Sequence, residues 1–235
     1  MSERVVIVGG TSGIGLATAE LLRKRGYEVV IGGRSEERLA TARERCGAAG
    51  AAVDATDEES LRRFFDEVGP FHHLVVAVTE RGGVTSLADL TASELRRHTE
   101  GKLLPHLLAA RESLATLDEA GSITLVGAVS SQLSGTGLVA LGSVNAAVET
   151  ASRILAAELA PRRVNAVSPG VIDTEWWSWI PEEARAEAVH GAAAGTPVGR
   201  PGRPEEVADA IAFLIGNGFT TGVVLPIDGG ARLRS

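Results

Sequence analysis

The sequence predicts a doubly wound α/β fold, a parallel sheet covered by helices on both faces in three α/β/α layers. Short runs of β-branched or apolar residues alternate with longer amphipathic stretches along the whole chain. The runs are apolar at successive positions, as strands buried on both faces are. The first run passes straight into a glycine-rich loop that opens a helix, the local order of a mononucleotide-binding half-sheet. No repeat, low-complexity tract or linker interrupts the 235 residues, and 44 % hydrophobic content suffices for a full core, so residues 1–235 are expected to form a single Rossmann-type domain.

Arg4–Val8 reads as a strand, Ile14–Arg25 as a helix and Glu28–Ile31 as a second strand. Helix Glu36–Cys46, a brief strand near Ala51–Val53, helix Glu58–Val68 and strand Leu74–Val78 follow. A polar loop rich in glycine and threonine leads to a helical region from roughly Ser93 to Leu117. Pro105 lacks an N–H and leaves the Gly101 carbonyl unpaired, so it predicts either a kink there or a helix starting near Pro105. Strand Ile123–Val126, a long helix Val139–Leu159, strand Val164–Val167, helix Glu205–Ile215 and strand Val223–Leu225 complete the chain. Strand–helix alternation of this kind implies right-handed crossovers.

The loop Gly9-Gly10-Thr11-Ser12-Gly13-Ile14-Gly15 carries the first functional reading. Gly9 permits a tight turn, Gly13 lets the backbone approach a pyrophosphate, and Gly15 lets helix and strand pack closely. The helix N-terminus offers free N–H groups and a positive dipole end to the phosphates. The end of the second strand selects the cofactor. A carboxylate there would hold ribose hydroxyls and repel a 2′-phosphate, but this chain has Gly32-Gly33-Arg34-Ser35. Arg34 and Ser35 therefore predict NADP(H), with the guanidinium clamping the phosphate by paired charge-assisted bonds. Asp54, ending the third strand, either accepts from the adenine amino group or caps the next turn.

Composition excludes other classes. A net charge of −7 leaves no basic surplus for nucleic acid. One cysteine, Cys46, allows no intrachain disulfide and no thiolate metal site by itself; no metal is expected. Nothing at the N-terminus reads as a signal peptide and no apolar run spans a bilayer, so a cytoplasmic location without membrane contact is expected.

The glycines at 9, 13 and 15 resemble those of the short-chain dehydrogenase/reductase family, and the resemblance spans nearly the whole chain. The segment Leu159 to Gly170, with Val164-Asn165-Ala166-Val167-Ser168-Pro169-Gly170 at its end, is similar to the family's sixth-strand signature. Val171-Ile172-Asp173-Thr174 resembles the stretch that contacts the nicotinamide amide. Gly199 to Ala208 and Ile227-Asp228-Gly229-Gly230 resemble the family's C-terminal segments. The resemblance implies cofactor contacts from Ala77, Asn145, Pro169, Gly170, Ile172 and Thr174 besides the loop residues. It also implies a lid near residues 174–200 and, by analogy, a homodimer or homotetramer.

The catalytic positions depart from the family. Its Tyr-x-x-x-Lys pair maps onto Leu141 and Asn145, its carbonyl-polarising serine onto Ala128, and its supporting asparagine onto Lys102. Its Asn-Asn-Ala-Gly motif reads Val76-Ala77-Val78-Thr79. Leucine carries no titratable proton and does no acid–base work. A register shift of two or three residues offers Ser130 or Ser131 instead of Ala128. Asn145 can bond ribose hydroxyls without adding charge, and Lys102 either brings charge to the site or points to solvent. Tyr27 lies at the far end of the sheet. His72 and His73 are expected as solvated turn residues, His98 and His106 are not spaced as a metal pair, and His190 is expected on the surface of the lid. Trp176, Trp177 and Trp179, in a chain with 4 % aromatic residues, either wall a substrate pocket or bury against a subunit or the chain's own core.

These residues point to an NADP(H)-dependent oxidoreductase acting on a small carbonyl, enone or imine with a non-standard proton donor. That proton is expected from water, a lid residue such as His190, a serine such as Ser131, or the substrate itself; Ser130, Ser131, Asn145 and Lys102 are the candidate catalytic residues. The alternatives are a catalytically inactive NADP(H)-binding regulator or sensor, and a non-redox isomerase or cyclase on the same scaffold.

Overall fold

The computed structural model describes residues 2–233. Seven strands, all parallel, form one sheet in the order β3-β2-β1-β4-β5-β6-β7. They are β1 (Arg4–Val8), β2 (Glu28–Gly33), β3 (Ala49–Ala52), β4 (Phe71–Val76), β5 (Leu117–Val126), β6 (Arg163–Pro169) and β7 (Val224–Ile227). The helices are α1 (Gly13–Lys24), α2 (Glu36–Cys46), α3 (Glu58–Val68), α4 (Ala92–His98), α5 (Leu104–Ser113), α6 (Val139–Glu158), α7 (Glu182–Ala193) and α8 (Pro204–Gly216). Strand order reverses between β1 and β4, and a crevice beyond the carboxyl ends of the strands at such a switch is where doubly wound sheets bind ligands.

Each strand feeds both faces of the sheet, because successive side chains point to opposite sides. Val5 and Ile7 of β1 pack with Leu16 and Leu22 of α1, Leu39 of α2, and Val207, Ile211 and Leu214 of α8. Val6 and Val8 turn the other way, onto Leu61, Phe64 and Phe65 of α3, Ala109 of α5 and Val148 of α6. Phe65 is 1 % exposed and stacks on Phe71 with ring centroids 5.7 Å apart. Phe65→Ala removes this packing and leaves a cavity, at an expected cost of about 3–5 kcal/mol. For a domain of this size that lowers the melting temperature by roughly 10 °C, readable in a thermal melt.

Three expectations change. His73 is no turn residue: β4 begins at Phe71, His73 is 4 % exposed, and its Nδ1 lies 2.8 Å from Ser122 Oγ across the β4–β5 pair. His72 is half-buried, its Nδ1 accepting from Arg4 N at 3.0 Å. β5 begins at Leu117, six residues before the apolar run that marks it in sequence, and its register with β4 shifts between Phe71 and His73. Gly121 and the acids Asp118 and Glu119 mask that start. The segment after Pro181 forms α7, whose Glu182-Glu183-Ala184-Arg185-Ala186-Glu187-Ala188 run is rich in helix formers with acids in the first turn.

The region around Pro105 combines both expectations. α4 runs into a π-helical turn, Thr99–Leu103, whose wider loop ends on a bond from Leu104 N to Thr99 O; α5 then starts with Pro105 in its first turn. Proline brings no N–H to that junction, where the hydrogen-bond ladder passes from the π to the α spacing. Among the described residues no helix is long and apolar enough to cross a membrane.

Candidate active site

The glycine loop folds back on β2, with Gly9 N and Gly10 N both donating to Gly32 O at 2.9 and 3.1 Å. Gly9 has φ +89°, and a Cβ on it would sit 2.8 Å from the Ala77 carbonyl carbon. Only glycine fits that turn. Ala77 thus packs on the loop itself. Ser12 caps α1 without using its hydroxyl, and Gly13, Ile14 and Gly15 form the first turn, whose N–H groups lack helical acceptors. The Thr11 side chain reaches back to Gly33, where its methyl would lie 2.5 Å from an added Cβ.

Beyond the end of β2, Arg34 is exposed and has no carboxylate partner among the described residues. Ser35 caps α2, its Oγ accepting from Arg38 N at 3.3 Å. Asp54 Oδ1 accepts from Thr56 N at 3.0 Å and Thr56 Oγ1 at 2.7 Å, tying the turn after β3. Burial pushes the Asp54 carboxyl up, but the two Thr56 bonds and the Arg34 charge outweigh it and hold it below the usual range. Arg34 and Asp54 therefore share one end of the crevice.

At the other end, Pro169 closes β6 and Gly170 N donates to Ile227 O at 3.0 Å. A Cβ on Gly170 would meet Asp228 Cα at 2.8 Å, so the C-terminal segment fits against this glycine. Asp228 secures that segment by accepting from Gly230 N and Arg232 N, each at 3.0 Å. Ile172 is buried, and its carbonyl accepts from Trp177 Nε1 at 2.9 Å. Thr174 stands opposite the phosphate loop, its Cβ 3.5 Å from where a Gly13 Cβ would lie.

Thr174 also caps a 3-10 turn, Glu175–Trp179, that carries all three tryptophans. None of them enters the core. Trp176 and Trp177 meet edge-on at 4.8 Å, Trp177 and Trp179 stack at 6.3 Å, and Trp179 stays 46 % exposed. The turn is tied down on two sides. Trp176 Nε1 donates to Glu80 O at 2.8 Å, Arg81 to Ser178 Oγ at 2.7 Å, and Arg38 Nη2 to Glu175 Oε2 at 2.6 Å. The last pair is solvent-exposed and weak, yet it joins α2 to the tryptophan turn beside the phosphate loop. His190 is exposed on α7, its Nδ1 2.8 Å from Ala186 O.

The face of α6 that looks into the crevice carries Leu141, Asn145 and Glu149 at four-residue spacing. Asn145 Nδ2 donates to Ser130 Oγ at 3.1 Å and to Leu141 O at 3.0 Å, while its Oδ1 is buried without a donor. Glu149 Oε1 accepts from Ser131 Oγ at 2.8 Å and from Ser168 Oγ at 2.6 Å. Ser130 and Ser131 lie on the 3-10 turn Val129–Gln132, which Ala128 precedes, so both hydroxyls are drawn to α6.

Lys102 joins this cluster from the π-helical turn. It does not point to solvent: it is 6 % exposed. Burial lowers its ammonium to about 7, with the Glu149 charge pulling the other way. His106, one turn later, lies between two carbonyls, Nδ1 2.7 Å from Lys102 O and Nε2 3.2 Å from Val126 O. Burial first, and the Lys102 charge second, hold it at about 3, so His106 is neutral and braces the π turn against the end of β5. Glu149 and Arg38 are the participants that sequence reading missed. Glu149 left a signal, an acid between Val144, Val148 and Ser152 on the buried side of α6.

The model of the family described as enoyl-(acyl carrier protein) reductase matches residues 8–232 of the chain. The chain is 32 % identical over 249 residues to a short-chain dehydrogenase/reductase of Stachybotrys chlorohalonatus, covering 99 % of this chain and 98 % of that one. It is 38 % identical over 245 residues to the cis-4-hydroxycyclohexanecarboxylate dehydrogenase of Sinomonas cyclohexanicum, covering 97 % and 96 %. Among solved structures, a small-chain dehydrogenase in complex with NADPH superimposes with a TM-score of 0.87 at 29 % identity over the full length of both chains.

Proposed function

The chain belongs to the short-chain dehydrogenase/reductase family, and from that premise we propose an NADP(H)-dependent oxidoreductase of a small carbonyl, enone or imine whose proton comes from a group other than tyrosine. One feature of the chain carries the reading: it keeps the phosphate loop, while Leu141, the position that the family resemblance gives to the tyrosine, has no proton to give. When bound, the reduced nicotinamide supplies a hydride. The remaining work falls to the chain's own residues. N–H groups of the first turn of α1 hold the pyrophosphate, Arg34 and Ser35 the 2′-phosphate, and Asn145 the ribose hydroxyls. The cradle suits such a cofactor, because Gly9 lets the loop turn tightly against Ala77 and Gly13 puts no side chain between the loop and Thr174.

A site without a phenol favours substrates that spread the charge left by hydride addition, so a conjugated C=C or C=N bond suits it better than an isolated ketone. The matched family's description as an enoyl reductase supports this preference. The half-exposed tryptophan cluster supports a flat or apolar substrate, in line with the ring substrate named for one relative.

The test is NADPH oxidation against a panel of ketones, enones and imines, with calorimetry to measure cofactor uptake. Arg34→Ala is expected to weaken NADPH by roughly 30–100-fold, the worth of a charge-assisted phosphate contact, and to leave NADH within about threefold. An equal loss for both cofactors counts against Arg34 as the phosphate clamp. Leu141 equally favours a second reading, a cofactor-binding regulator or a non-redox isomerase or cyclase. Tight NADPH binding with no oxidation across the panel would select it, and a product of unchanged mass would identify the isomerase.

A further inference from the structure

We propose that Lys102 is the acid of this site: held on the π-helical turn beyond the carboxyl ends of β4 and β5, its ammonium gives up the proton that the reduced substrate takes. The proposal rests on the oxidoreductase reading above.

Its first support is placement. His106 approaches the carbonyl of Val126, the last residue of β5, and that of Val76, the last of β4. Lys102 lies one turn earlier on a helix that runs antiparallel to the strands, which puts it just outside the strand ends, at the catalytic edge. The π-helical turn is part of that placement. An extra residue per turn rotates the side chains relative to an α-helix, and such turns are concentrated at functional sites.

Residue choice is the second support. The chain contains two lysines, Lys24 and Lys102, and every other member of its 23 basic residues is arginine. Arginine does not release its proton in a protein, whereas a buried lysine does so readily. One of the two lysines is thus spent at a position where burial of a fixed charge is costly.

Partners are the third. No acceptor bonds the ammonium and no carboxylate lies within 4 Å of it among the described residues, yet it is not among the fully enclosed orphan atoms. Helices α4, α5 and α6 pack on the π-helical turn, and Glu80 lies against Gly101. Of the titratable groups on these elements, His106 is neutral, burial and the Arg97 charge hold His98 low, and Glu100 is exposed. Glu149 acts on Lys102 electrostatically, but its Oε1 is already engaged by Ser131 and Ser168. On the same face of α6, the buried Asn145 Oδ1 lacks a donor. A free donor and a free acceptor thus flank the crevice, with Leu141 one turn before Asn145 on α6. The ammonium, lowered to about 7, comes into the range of neutral pH, which suits an acid there.

The step balances. An enone that has received hydride at its β-carbon carries its former π pair as an enolate. A Lys102 N–H bond breaks, the proton forms the new α-C–H bond, and the neutral amine is reprotonated by solvent.

With only two lysines, 15N-lysine labelling yields two side-chain signals, and Lys24 serves as an internal control. Lys102 is expected to titrate near pH 7, and NADPH is expected to move the Lys102 signal and not that of Lys24. Linkage gives a second readout. Between about pH 7 and 10.5 the unfolded chain binds a proton that the folded chain does not, so stability rises with pH across that window. Lys102→Met should remove that rise. On an active panel substrate, Lys102→Met and Lys102→Arg should each lower kcat by about 100-fold or more, with NADPH affinity within threefold. The arginine variant keeps the charge and loses only the transferable proton. A Lys102 signal that stays protonated to pH 10, or a wild-type kcat in Lys102→Arg, overturns the proposal and leaves the oxidoreductase reading standing. Failure of wild-type protein to take up NADPH removes that reading instead.

Discussion

Gly15→Ala is expected to weaken NADPH binding by about 100-fold or more while leaving the protein folded. A Cβ on Gly15 would overlap the Gly9 carbonyl oxygen and crowd Gly10 Cα at 3.1 Å. Both obstacles are backbone, so no rotamer change relieves them. The loop has to swing away from α1, and the N–H groups that face the phosphates move with it. A hundredfold loss corresponds to about 2.7 kcal/mol, within reach of an overpacked close contact. Gly26→Ala is the control. Gly26 also has positive φ, +88°, but nothing lies within 4 Å of an added Cβ, and it sits at the opposite edge of the sheet. It should cost stability and leave affinity unchanged. Calorimetry with NADPH beside thermal melts separates the two; equal affinities for both variants would mean that the glycine loop does not hold the cofactor.

The second large effect is a gain. Leu141→Tyr combined with Asn145→Lys and Ala128→Ser should create or raise ketone reduction by about 100-fold or more, the usual worth of a positioned general acid. Leu141 and Asn145 lie one turn apart on α6, and Ala128 precedes the turn that Asn145 contacts through Ser130. A phenol and an ammonium placed there would face the same crevice. The pocket already holds Lys102, and a second ammonium at position 145 would repel it. Adding Lys102→Asn should therefore raise the rate further. Steady-state NADPH oxidation with a ketone, compared across wild type, triple and quadruple variants, measures both effects. No gain in a folded, NADPH-binding triple variant would sink the alignment of Leu141 with the tyrosine position.

Much of the scaffold was legible because its signals are local. Val5 to Val8 are apolar in succession since β1 is covered on both faces, and Gly9 to Gly15 follow in a spacing that only a strand–loop–helix turn requires. The strand start at Leu117 was not legible, because Asp118, Glu119 and Gly121 break the apolar run although the backbone still pairs with β4. His73 was misread for a related reason. Its neighbours Pro70 and His72 suggest a turn, while Ser122, 49 residues away, supplies the partner that lets it be buried.

By itself, then, the sequence determined the three-layer sheet, the phosphate loop, the absence of a carboxylate after β2 and the absence of a phenol at position 141. Periodicity, glycine spacing and residue chemistry are properties of the chain taken a few residues at a time. Only the tertiary structure decided where Lys102 goes. A 3.6-residue period cannot locate it, because the π-helical turn shifts the helical face just before Pro105. It also decided that Glu149 is occupied by Ser131 and Ser168 and that the tryptophans cluster outside the core. Those facts depend on which distant elements pack together, and burial, the cause of the Lys102 shift, exists only once α4, α5 and α6 have closed around it.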